Sequence, residues 1–236
     1  MIVPIVDNRR NFPTGALRWP HVVTSTSALP NLRTQAETLI ALGVHELAGW
    51  SARDLRDIVE PARDRHALFV IGPALVPASA LAPLVRVRGR RGFVVTDMSD
   101  VDAFGAVVEL PDSPGYVLDG LDRGDDMANW SPTEADAALA DAGRTPLTLG
   151  EGLHWLLHQP DILERGRCFM TIGSRRRKPD GSLDTRTPAI WLSNGTGRDG
   201  PANRDAPKVG WCWAGNRHTW LGFASAAGRG PVCALG

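Results

Sequence analysis

The sequence predicts an α+β protein: a mixed or antiparallel sheet with an N-terminal helical hairpin and two further helices packed on it. Three observations carry this. Capped segments with helical periodicity occur twice early in the chain and twice later. Short apolar runs fit for buried strands lie between and after them. The densest aromatic stretch, KVGWCWAGNRHTWLG at Lys208–Gly222, alternates like a strand at its start. Residues 1–30 read as a leader segment and 31–236 as one α+β domain, with 31–66 the helical hairpin and 67–236 the sheet-containing body.

The chain has 236 residues, enough for one sizeable core. With 43% hydrophobic and 22% charged residues it has the balance of a soluble globular protein. Its 26 basic and 26 acidic side chains cancel, so no global field draws it to nucleic acid or an anionic membrane. No apolar run is long enough to span a bilayer, and the opening MIVPIVDNRRNF lacks the charge order of a signal peptide. Cys168, Cys212 and Cys233 are an odd, widely spaced set, which fits a reducing cytoplasm better than a disulfide framework. No Cys-x-x-Cys pair is present, and neither metal nor cofactor is expected.

Pro4, Pro13, Pro20 and Pro30 punctuate the leader, which holds one short strand at Ile2–Val6. Asn31 caps a helix whose apolar face is Leu32, Ala36, Leu39 and Ile40 and which stops at Gly43. Ser51 caps a second, with Leu55, Ile58 and Val59 inward, ending at Pro61; His45 falls in the loop between them. Strands follow at 67–71, 92–96, 107–110 and 116–118, with a helical turn at 97–104. The loop LDGLDRGDDM is acidic without the register of a calcium loop, so its arginine and aspartates pair internally. Ser131-Pro132-x-Glu134 opens one helix and Thr148-x-x-Glu151 another, each a capping box. Glu151, His154 and His158 share a face of the latter, a face compatible with metal ligation, although capping accounts for Glu151 without one. Strands at 167–172 and 189–193 precede NGTGRDGPANRDAP, whose Gly195-x-Gly197-x-x-Gly200 is rejected as a dinucleotide fingerprint because Pro201 follows and no helix opens. It reads as a flexible insertion before the tryptophan-rich strand, which closes the sheet, and Ala224–Gly230 is small-residue chain.

LDRGDD, GRTPLTLGEG, CFMTIGSR, PAIWLS, PKVGWCWAGNRHTWLGFAS and the closing AGR together resemble an actinobacterial family catalogued only as a domain of unknown function. The resemblance covers roughly residues 30 to 230 and is most specific at Lys208–Gly222. It implies a shared fold and pocket and carries over no activity. The chain departs from the family pattern at Arg217, where proline is usual, and at Ala226, where cysteine is common. Its 177–185 segment and its glycine-rich insertion are longer than usual.

The tryptophan-rich segment is the expected site. Trp211, Trp213 and Trp220 would wall a pocket, and Asn216, Arg217, Arg144 and Arg175 would hold an anionic or polar substrate. His218, Cys212, Glu151 and Asp122 are the candidates for acid–base or nucleophilic chemistry. His218 and Arg217 are expected to point into a partly open pocket and Cys212 to lie buried between tryptophans. The reading is a small-molecule enzyme, with a non-catalytic ligand-binding or protein-interaction module as the alternative. The partner is a small molecule, with no nucleic acid and no membrane, and the oligomeric state is open.

Overall fold

The computed structural model describes residues 28–232, so the strand expected at Ile2–Val6 lies outside the described residues. Helices and sheets are both present, as an α+β fold requires. The Asn31 side chain accepts from the Thr34 N–H at 3.0 Å and opens the helix Leu32–Ala41, which buries Leu32, Ala36 and Leu39. Gly43 ends that run with φ +72°, a conformation that favours glycine. The connection is not an open loop: Val44–Leu47 forms a helical turn that buries His45. Ser51 and Asp54 then form a capping box at the start of Ala52–Val59. Gln35, on the first helix, is wholly buried because it completes backbone pairing elsewhere. Its amide donates to the Pro30 and Ala67 carbonyls and accepts from the Phe69 N–H.

Two sheets of three or more strands form the body, with three two-stranded ladders beside them. The smaller is antiparallel, with Gly115–Asp119 between Leu68–Ile71 and Gly228–Pro231. The larger runs in the order Leu221–Phe223, Cys168–Met170, Arg186–Leu192, Pro207–Trp213, Phe93–Val94. Its three central strands are antiparallel and its two outer strands run parallel to their neighbours, so the sheet is mixed. The tryptophan-rich strand therefore does not close the sheet; Phe93–Val94 lies beyond it. Residues 107–110 form no strand; the strand there is Gly105–Ala106 against Ser174–Arg175, followed by one bond from the Val107 N–H to the Gly173 carbonyl at 2.9 Å. The small-residue stretch after Ala224 contributes two strands, Ser225–Ala226 and Gly228–Pro231, because small side chains let backbone reach backbone.

The helix Leu149–His158 contacts the strands Leu68–Ile71 and Arg186–Leu192, one from each sheet. Gly152 permits the close seat: a Cβ there would stand 2.8 Å from the Thr171 methyl. Thr148 and Glu151 form the capping box at its N-terminus, and the first helical N–H, on Leu149, is taken by Ser174 Oγ at 2.9 Å. Glu151 does more than cap. It is fully buried and ion-paired with Arg229 at 2.6 Å, and it accepts from the Tyr116 hydroxyl at 3.0 Å and the Thr148 N–H at 2.7 Å. Arg229 also donates to Glu151 Oε2 at 2.9 Å, to the Pro146 carbonyl at 2.6 Å and to Thr145 Oγ1. His154 joins the helix to the smaller sheet: its Nε2 accepts from the Ile71 N–H at 3.3 Å while Nδ1 donates to the Gly150 carbonyl at 2.8 Å.

Two predictions follow from this polar interior. Removing either member of a buried pair strands the other charge, at about 3–5 kcal/mol. Arg229→Met and Glu151→Ala should each lower unfolding free energy by that order in urea titrations, and the double variant should lose less than either single loss added to the other. Strict additivity would show the pair is not coupled.

The second concerns pH. Burial holds His154 at a pKa of about 4, and burial, then the neighbouring His154, holds His158 at about 3. An unfolded histidine titrates near 6.5. The unfolded chain thus takes up protons that the native chain refuses, so stability is full above about pH 6.5 and falls as pH drops toward the folded values. The loss should approach about 1.4 kcal/mol per pH unit for each histidine inside that window. Unfolding free energies measured from pH 7 to 4.5 test this; a flat profile contradicts it.

Candidate functional site

The register of the larger sheet decides what the tryptophan-rich strand presents. Val209 pairs with Ile190, Trp211 with Pro188 and Trp213 with Arg186, so these share one face. Val209 is buried, Trp211 half-buried and Trp213 46% exposed, with the two indoles edge-on at 4.6 Å. Gly210 and Cys212 take the opposite face, with Ala189 and Thr187. On that face Cys168, Met170 and Ala189 pack with Ala135 and Leu139 of the helix Pro132–Asp141.

A cavity of about 350 Å³ borders this layer. Its aromatic lining is Trp191, Trp211 and Trp220, and the thiols of Cys168 and Cys212 and the His218 imidazole also line it. Arg167 and Asn194 add polar lining. Trp191 lies over Gly210, where a Cβ would meet its indole at 2.5 Å. The Lys208 ammonium sits 4.8 Å from the centre of the Trp191 ring. The His218 imidazole stacks on Trp220 at 4.6 Å with the planes 19° apart, and Trp220 is 53% exposed. The turn is held by its backbone: the His218 carbonyl accepts from the Asn129 N–H at 2.9 Å and from the Leu221 N–H at 3.3 Å. The Asn216 amide donates to Cys212 Sγ at 3.8 Å.

The sequence expectation of a buried Cys212 is corrected here: the thiol is half-buried and lines the cavity, because the cavity takes its lining from both faces of the strands, Ala189 and Trp191 on the Cys212 side and Trp211 and Leu192 on the other. Cys168 is the enclosed thiol, and burial, reinforced by the Cys212 charge, pushes its pKa up. Of the residues expected to act together, Trp211, Trp220, Cys212 and His218 meet at the cavity, with Asn216 in contact through Cys212. The rest lie elsewhere. Trp213 is outside the lining, and Arg217 is exposed and ion-paired with Glu134 at the neighbouring helix start. Arg144 donates to Ser225 Oγ at 2.8 Å and the Gly120 carbonyl at 2.7 Å, and Arg175 to the Asp184 carbonyl at 2.6 Å. Asp122 accepts from the Gly124 N–H at 2.8 Å, and Glu151 is committed to Arg229. Trp191, Cys168, Arg167 and Asn194 were not singled out; Trp191 sits two residues from Ala189, a signal that becomes readable only once register is known.

The model of a family of unknown function, DUF5701, matches residues 38–232. The chain belongs to DUF5701. The DUF5701 match spans both sheets and every residue lining the cavity. No curated protein and no solved structure matches the chain. Among the described residues no group of three or more His, Cys, Asp or Glu side chains could hold a metal ion, and no helix is long and apolar enough to cross a membrane.

Native-state alkylation should separate the two thiols. Brief iodoacetamide treatment near neutral pH, followed by peptide mapping, should label Cys212 and spare Cys168 until the protein unfolds. Equal protection of both would place Cys212 in the interior instead.

Proposed function

We propose that this protein binds a small molecule with a flat ring and an anionic or polar substituent in the tryptophan-lined cavity. The stacked His218–Trp220 pair carries the reading. Stacking holds the Trp220 indole in place while more than half its surface stays open, which is the arrangement of a preformed platform for another ring. Trp191 and Trp211 supply apolar wall, and Arg167, Asn194 and His218 supply polar groups for the substituent. The odd, sparse cysteine set supports a cytoplasmic setting.

Catalysis is the second reading. The observation that favours it is that Cys212 and His218 line one cavity, as a nucleophile and base would. Neither carboxylate candidate reaches that cavity, so ligand binding is the stronger reading.

Indole-3-acetate is the first probe, with cyclohexane carboxylate as a non-planar control. In isothermal titration the aromatic acid should bind saturably and the control should not. Trp220→Ala and His218→Ala should each weaken binding about tenfold, since one aromatic contact is worth up to about 1.5 kcal/mol. Their melting temperatures should stay close to that of the parent. Equal binding of the two acids removes the platform, and unfolding of His218→Ala without a separable binding loss makes the histidine structural.

A further inference from the structure

We infer that a second cavity, which Lys208 lines and which shares no lining residue with the tryptophan cavity, binds a small zwitterion that carries both an ammonium and a carboxylate, as a free amino acid with an apolar side chain does. This cavity measures about 340 Å³, within the range of small-ligand sites. Phe93 and Val95 give it an apolar wall, and Asp97, Arg198, Asp199 and Lys208 give it two charges of each sign.

Its outer wall is the glycine-rich insertion, which is folded rather than loose. The strands on either side, Arg186–Leu192 and Pro207–Trp213, are antiparallel neighbours, so the insertion is a hairpin connection. Gly195, at φ +68°, lies against Arg204 so closely that a Cβ would stand 2.6 Å from the arginine Cβ. Asp199 anchors the turn: Oδ2 accepts from Ser193 Oγ at 2.7 Å and from Lys208 Nζ at 2.8 Å, and its carbonyl accepts from the Asn203 amide at 2.8 Å. The Asp199 and Lys208 side chains are only 11% and 16% exposed, so this pair is part of the frame.

The other pair is different. Arg198 meets Asp97 at 3.0 Å with side chains 77% and 41% exposed. An exposed pair of this kind is worth little, about 1 kcal/mol at most, and re-forms readily around a ligand. A carboxylate can take Arg198 and an ammonium can take Asp97, replacing one solvated pair by two ligand contacts. A ligand with only a negative charge must face Asp97 and Asp199, and one with only a positive charge must face Arg198 and Lys208. The charge balance therefore selects a ligand bearing both, with its side chain on Phe93 and Val95.

The test is isothermal titration of the whole protein with L-leucine, 4-methylpentanoate and 3-methylbutylamine. L-leucine should bind, and the acid and the amine should each bind at least about tenfold more weakly. Arg198→Ala and Asp97→Asn, both at exposed positions, should each weaken L-leucine by at least about tenfold. Trp220→Ala should leave L-leucine binding unchanged, which separates this site from the tryptophan cavity. Absence of L-leucine binding, equal binding of the acid, or indifference to Arg198→Ala overturns the inference.

Discussion

The fold depends on a buried charge. Glu151 has no exposed surface, and an uncompensated carboxylate in that position would cost several kcal/mol. Its compensation comes from three separate parts of the chain: Arg229 on the last described strand, Tyr116 on the central strand of the smaller sheet, and the stretch 145–148, whose Thr148 N–H bonds Glu151 directly and whose Thr145 and Pro146 hold Arg229. The same lock pushes the Tyr116 phenol pKa up, chiefly by burial and then by the Glu151 charge, so the hydroxyl stays a donor at any ordinary pH. A hydrophobic substitute could fill the volume but would not fix which strand end meets which helix end.

Around this lock, glycine rather than side-chain chemistry governs the close contacts. Gly124, at φ +74°, lies where a Cβ would stand 2.2 Å from the Phe223 carbonyl oxygen, and Gly222 lies where one would stand 2.5 Å from the Arg123 carbonyl oxygen. The acidic loop and the strand after the tryptophans thus interlock backbone to backbone. Arg123 completes the loop by pairing with Asp125 at 2.6 Å and donating to the Ile162 carbonyl at 2.5 Å. The segments LDRGDD and WLGF, far apart in sequence, are two halves of one contact.

This explains what could be read from the sequence and what could not. Helix starts were legible at Asn31, Ser51, Ser131 and Thr148 because capping is a local hydrogen bond between residues three apart. The Arg123–Asp125 pairing in the acidic loop was legible for the same reason, whereas Asp119 pairs outside the loop with the distant Arg65 and Asp125 also takes Arg167. Glu151 was legible as a cap but not as a buried ion pair, because Arg229 is 78 residues away. The strands after Ala224 were not legible, since glycine and alanine carry no strand periodicity and the backbone pairing that places them is long-range. At the candidate site the alternation along Val209–Trp213 gave the two faces correctly, but the cavity also needs Arg167, Cys168 and Trp191 from segments distant in sequence, a long-range fact.

The arrangement separates the group that holds the fold from the groups offered to a ligand. The polar residues of GRTPLTLGEG that carry charge or cap a helix are consumed: Arg144 by Ser225 and Gly120, Thr145 by Arg229, Thr148 and Glu151 by each other and the lock. The tryptophan segment is built the opposite way. Its loop is fixed through the His218 carbonyl and the strand through backbone pairing, which leaves the imidazole and the Trp220 indole outside the hydrogen bonds that define the fold and the Cys212 thiol in a single bond from Asn216. Side chains that the backbone does not need can change with little loss of stability, whereas each member of the lock is constrained by its partners. A surface so divided can vary its ligand while keeping its frame.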